Sequence, residues 1–170
     1  GGLVATSLAA EPEIPVSGLI LSSTHLGFSL LSGKPLMSRY ATRIEGLKTK
    51  GSNLECGLER ARRNTPDGTS DEIVSFLANI ALDIRLEQIR DGGRMSQEAN
   101  NAALSDRIKV PVLILSGGKD TVISDEMHNA LTSAFPAAEQ IVFPDAGHAS
   151  YAECPEKYHA EIIKFAYKTA

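Results

Sequence analysis

The chain has 170 residues, 42% apolar and 22% charged, which is enough for one domain with a real core and ordinary for a globular protein. Its net charge of −4 argues against nucleic acid and anionic membrane as partners, and no apolar run approaches the roughly 18 residues that span a bilayer. Two cysteines, Cys56 and Cys154, with no CxxC, exclude a disulfide framework or a zinc site and fit a reducing, cytoplasmic compartment.

The small apolar stretch Gly1 to Ala10 suits a buried helix, broken by Glu11-Pro12. Val16 to Leu21, bounded by Pro15 and by Ser22-Ser23-Thr24, reads as a fully buried strand. Helical spacing then runs almost throughout residues 39 to 103. Tyr40, Ile44 and Leu47 form one stripe, stopped by Gly51. A second helix covers about Asn53 to Arg63 and ends before the turn signal Thr65-Pro66-Asp67-Gly68. Arg60, Arg62 and Arg63 on it read as a solvated face. Ser70 caps a third helix with the stripe Ile73, Leu77, Ile80, Ile84, and Gly92-Gly93 separates it from a fourth stretch, Met95 to Ala103.

Strand patterning resumes at Val112 to Leu115, followed by the turn Ser116 to Asp120. Ser124 caps a helix with Met127, Leu131 and Ala134 on one face, ended by Phe135-Pro136. Glu139 to Phe143 is a third strand, Pro144 to Ala149 a loop, and Glu153 to Lys168 a last helix with Tyr158, Ile162 and Phe165 facing inward. His128 and His159 fall on helix faces turned to solvent. This order of strands and helices predicts an α/β fold: a parallel sheet flanked by helices, with an inserted helical block. Ligands of such sheets bind beyond the carboxyl ends of the strands. Asp120 and His148 both fall there, each in the loop after a strand.

A histidine acts as general base when its second ring nitrogen is held by a partner, and a carboxylate holds it best. Asp120 is the expected partner of His148, with Asp145 the rival acid three residues before the histidine. With these residues in place, the segment Val110-Pro-Val-Leu-Ile-Leu-Ser-Gly-Gly-Lys-Asp120 resembles the VPxLxLxGxxD stretch of the α/β-hydrolase fold family. Asp145-Ala-Gly-His148 with Glu153-Cys-Pro-Glu156 resembles that family's GH…EQPE stretch, and Gly1-Gly2-Leu-Val-Ala5 the stretch after its nucleophile. The chain is thus similar to the C-terminal half of such an enzyme, in the enol-lactonase and small-ester hydrolase branch.

The resemblance implies a core of residues 1–34, a helical lid of 35–107 and a core of 108–170 carrying the catalytic pair Asp120 and His148. It implies a hydrolase of a small ester, lactone or acyl substrate that needs neither cofactor nor metal. The expected partner is that small molecule, with self-association left open. His25, in the loop after the first strand, is a candidate substrate contact. If Gly1 ends the G-x-S-x-G motif, the nucleophile stands two residues before it and the oxyanion hole lies upstream as well. Ser7, Ser22, Ser23, Ser29 and Ser116 have no nucleophile-elbow context. Serine is the expected nucleophile; aspartate, as in haloalkane dehalogenases and epoxide hydrolases, stays open. So does a reading of the chain alone as a non-catalytic fragment or module that pairs with its missing half.

Overall fold

The computed structural model describes residues 1–27, 44–46, 48, 54–80, 82 and 85–170. Helix α1 (Gly2–Ala9) buries Leu3 and Thr6. Strand β1 (Leu19–Ser22) lies parallel to β2 (Val112–Gly117), and β2 parallel to β3 (Glu139–Phe143), in the order β1-β2-β3. β1 is shorter than its apolar run predicts. Its pairing starts at Leu19, opposite Val112, because β2 itself starts only after Pro111, which has no N–H to donate. Leu19 N–H donates to the Pro111 carbonyl at 2.9 Å.

The strand period of two divides the core between the two faces. Leu19, Leu21, Val112 and Ile114 pack with Ala10, Leu131 and Phe135 on one side, while Leu113, Leu115 and Phe143 pack with Ala146 and Phe165 on the other. Leu21, Leu113, Ile114 and Leu115 are at most 1% exposed, so each contributes about 1.5–3 kcal/mol of burial. α5 (Asp125–Ala134) covers the first face, and Met127 N–H donates to its cap, Ser124 Oγ, at 3.3 Å. α7 (Pro155–Thr169) covers the second with Phe165 buried and Tyr158 and Ile162 against it. A one-turn helix, α6 (Ser150–Glu153), precedes α7, so the expected single helix is broken, with Pro155 at the first position of the longer piece.

Between β1 and β2 the described residues form α2 (Leu54–Asn64), α3 (Asp71–Ile80), α4 (Leu86–Glu98) and a 3₁₀ helix (Asn101–Arg107). Residues 44–46 and 48 are helical; Tyr40, Leu47, Gly51, Ile84 and Ser29 lie outside the described residues. α2 and α3 pack through small residues. Ala61, Val74 and Ala78 are buried, and a Cβ on Gly57 would sit 2.6 Å from the Ala78 carbonyl oxygen. This corrects the expected stripe on α3 in part: Leu77 does pack against this cluster, but its fully buried members are Val74 and Ala78, while Ile80 is 56% exposed. Close helix approach selects small side chains at its centre, with Leu58 and Leu77 packed beside them.

Gly92-Gly93 does not separate helices as expected, because α4 runs through both. Neither glycine takes the positive φ that ends a helix, and buried Ile89 and Gly93 hold one face of α4 inward. Asn101, 5% exposed, ties this region to the core. Its Nδ2 donates to the Leu3 carbonyl at 2.7 Å, and its backbone N–H to Leu26 at 2.7 Å. No helix among the described residues is long and apolar enough to cross a membrane.

Candidate active site

The loops after β2 and β3 meet at the carboxyl edge of the sheet. Gly118 N–H donates to Phe143 O at 2.8 Å and Lys119 N–H to Ala146 O at 2.9 Å, lashing one loop to the other. Gly117 has no space for a side chain, since a Cβ there would overlap the carbonyl oxygens of Ala146 and Gly147. This close approach brings Asp120 and His148 together.

His148 Nδ1 lies 2.9 Å from Asp120 Oδ2, with the aspartate side chain 6% and the histidine side chain 27% exposed. An ionised carboxylate only accepts, so the imidazole carries its proton on Nδ1 and leaves Nε2 for chemistry. The other aspartate oxygen, Oδ1, accepts Val122 N–H at 2.7 Å and Ile123 N–H at 3.0 Å. Burial pushes the Asp120 carboxyl upward, but the His148 hydrogen bond, the His148 charge and these two N–H groups outweigh it and hold it below the ordinary aspartate value. Asp145, the rival acid, is 92% exposed and pairs with Lys119 at 3.2 Å instead.

Three further contacts set the histidine, and the sequence pattern did not point to them. Glu153 accepts Gly147 N–H at 2.8 Å on one carboxylate oxygen and Ala149 N–H at 3.1 Å on the other, bracketing His148 from both sides. His148 N–H itself donates to the Asn64 carbonyl at 2.9 Å, at the end of α2. Glu153 was visible in the sequence as part of the segment after the histidine; nothing local signalled its bond pattern.

His148 lines a cavity of about 310 Å³ whose wall includes Ser22, Ser23, Arg60, Asn64, Leu77 and Tyr151. Arg60 is thus not on a solvated face as expected: it is half-buried, whereas Arg62 pairs with Asp71 at the surface at 2.8 Å. The signal was available in the helix period, because Arg60 and Asn64 lie one turn apart beside buried Ala61. A second cavity of about 180 Å³ includes Ser23, Ser116, Asp120 and His128 in its lining. His128 corrects the expectation of a solvent-facing residue, being half-buried with Nδ1 3.4 Å from Ser116 Oγ; His159 is exposed, beside the Tyr158 ring.

Ser23 lies between the two cavities with φ +41°, a left-handed conformation that costs a serine about 1–2 kcal/mol. Its buried Oγ has no hydrogen-bond partner among the described residues. His25 is half-buried outside both linings, and its Nδ1 accepts Gly27 N–H at 3.0 Å. Its pKa is pushed down to about 4, chiefly by burial, with the nearby His148 charge acting in the same direction. Cys154 Sγ donates to Ser150 O at 3.2 Å, and burial raises the thiol's pKa, away from reactivity. Among the described residues no group of three or more His, Cys, Asp or Glu is arranged to hold a metal ion.

Known proteins resemble this chain in sequence and in fold. The chain is 26% identical over 166 residues to the pimeloyl-[acyl-carrier protein] methyl ester esterase of Neisseria meningitidis serogroup C, covering 94% of this chain and 64% of that one. Its fold matches the crystal structure of the enol-lactonase from Burkholderia xenovorans with a TM-score of 0.80 at 18% identity, over 98% of this chain and 62% of that one. A thermophilic esterase from Thermogutta terrifontis matches with a TM-score of 0.80 at 22% identity, over 99% and 62%. The chain therefore spans under two thirds of the length of these relatives. The profile of the alpha/beta hydrolase fold matches residues 1–155, and with that match over most of its length this chain belongs to the α/β-hydrolase family.

Proposed function

We propose that the whole protein hydrolyses a small ester, lactone or related acyl substrate, with His148 as general base and acid and Asp120 as the group that orients it. The observation that carries this reading is the 2.9 Å bond between Asp120 and His148 Nδ1 beside a cavity at the sheet's carboxyl edge. The nucleophile in this reading is a serine N-terminal to Gly1. It gives its proton to His148 Nε2 as its oxygen bonds to the acyl carbon. The leaving alkoxide then takes that proton, and water repeats the sequence on the acyl-enzyme. Asp120 stabilises the imidazolium formed in each half of the cycle. Residues 35–107 act as a lid, since Arg60, Asn64 and Leu77 from this block wall the cavity. His25, neutral and within electrostatic reach of His148, serves as a substrate-side neighbour.

The test is hydrolysis of p-nitrophenyl acetate by the full-length protein. His148→Ala is expected to lower kcat by about 10³-fold or more, as loss of a triad member does. Unchanged turnover in that variant would refute the assignment.

A further inference from the structure

The wall of the His148 cavity is electrically one-sided. Its described lining contains one full cation, Arg60, and no aspartate or glutamate. Arg60 is half-buried, and among the described residues it makes no hydrogen bond or ion pair. Among the described residues, the charged and titratable groups that act on it are the Tyr151 phenol and a second cation, Arg63. Burial, the largest influence, lowers its pKa, Tyr151 opposes this, and Arg63 lowers it further; a guanidinium nevertheless stays charged at neutral pH. A partly desolvated cation that has a like charge nearby and no counter-ion among the described residues is unfavourable. An anionic ligand relieves that cost, and an arginine meets a carboxylate with two parallel N–H···O bonds.

Position supplies the second part of the argument. Arg60 lies one turn before Asn64 on α2, and the Asn64 carbonyl holds the His148 backbone N–H. Four residues of helix rise about 6 Å, so the Arg60 backbone stands about one turn along α2 from the carbonyl that holds the His148 loop, and Arg60 and His148 line the same cavity. A cavity of about 310 Å³ suits a small acyl compound whose two ends reach both groups.

We propose that Arg60 is the anion-recognition residue of this cavity, and that the substrate is an ester or lactone bearing a second, ionised carboxylate. The inference rests on the reading of His148 as the catalytic base. In this arrangement the free carboxylate docks on Arg60 and places the acyl carbon beside His148. The attraction raises specificity for the charged ester over a neutral one of the same length.

The test uses the full-length protein with monomethyl glutarate and its neutral isostere methyl pentanoate. The ratio of kcat/KM for the charged over the neutral ester is expected to exceed about 10 in the wild type. Arg60→Gln should lower that ratio by about 10–100-fold, mainly through KM for the charged ester, and Arg60→Lys should retain part of it. Glutarate binding, followed by calorimetry at low ionic strength, should weaken by about 10-fold or more in Arg60→Gln. A cooperative melt of each variant checks that it folds, and Arg60→Lys carries the comparison if the glutamine variant does not. Esters turned over with a ratio that Arg60 variants leave unchanged would overturn the Arg60 assignment while the hydrolase reading stands. Arg60-dependent glutarate binding with no ester turnover would support Arg60 and refute the hydrolase reading instead.

Discussion

The Glu153 bracket offers a sharp test of how His148 is held. Its two carboxylate oxygens accept Gly147 N–H at 2.8 Å and Ala149 N–H at 3.1 Å, and both of those residues are buried. Glu153→Ala removes both acceptors at once. Hydrogen bonds to a charged group contribute about 1.5–3 kcal/mol each, and water entering the half-buried site recovers part of that. A net loss of about 2–4 kcal/mol is expected, or a Tm lowered by several degrees in a domain of this size. Glu153→Gln retains one acceptor oxygen but turns an amide NH₂ toward the second N–H, so its loss should be about half as large. The assay is urea denaturation of the intact protein, reading the midpoint at constant m-value. If His148 is positioned through this bracket, kcat for ester hydrolysis should fall about 10-fold or more in Glu153→Ala while stability still leaves the protein folded at the assay temperature. A midpoint change equivalent to less than about 0.5 kcal/mol would refute the reasoning, because the bracket would then be exchangeable with solvent.

Two other outcomes follow from the same geometry. His25 has its pKa pushed down to about 4, below the unfolded value near 6.5, so the unfolded chain binds the extra proton first as pH falls. Its contribution is intact above about pH 6.5 and is lost as pH falls toward 4. By pH 5 the loss should reach about 1–2 kcal/mol after allowance for solvent screening, and His25→Gln should flatten that part of the stability–pH curve; a curve of unchanged slope counts against a neutral, Gly27-bonded His25. Gly117→Ala should cost about 2 kcal/mol or more and disrupt ester hydrolysis as well, because the new methyl meets fixed backbone carbonyls of the His148 loop. Wild-type stability and kcat in that variant would show that the two loops are not in the close contact described.

Much of the fold was legible in the residues because the signals are local. The apolar run of β2, the Ser124 cap, the Pro-terminated α5 and the positions of Asp120 and His148 after their strands all follow from a few neighbouring side chains. Where sequence reasoning missed, a packing partner far along the chain decided the outcome. β1 begins late because its neighbour begins after a proline. Val74 and Ala78, not the bulkier isoleucines, face α2 because two helices approach closely at Gly57. The helix α4 continues through Gly92-Gly93 because its buried face outweighs the weak helix preference of glycine, a cost of about 1 kcal/mol per residue.

The site shows the same division. The residue types and their order named an acid and a base, and the spacing of strands and turns placed both at one edge of the sheet. The sequence also favoured Asp120 over Asp145 as the partner of His148, and the 2.9 Å bond agrees with it; only the tertiary structure set Glu153 and Asn64 around the histidine and turned Arg60 from a surface charge into part of the cavity wall. The physical reason is range. Helix periods, caps and turns act over a few residues and can be read locally, whereas a hydrogen bond between residues 28 apart, or a cavity walled by separate helices, depends on the parallel register and packing that bring distant segments together.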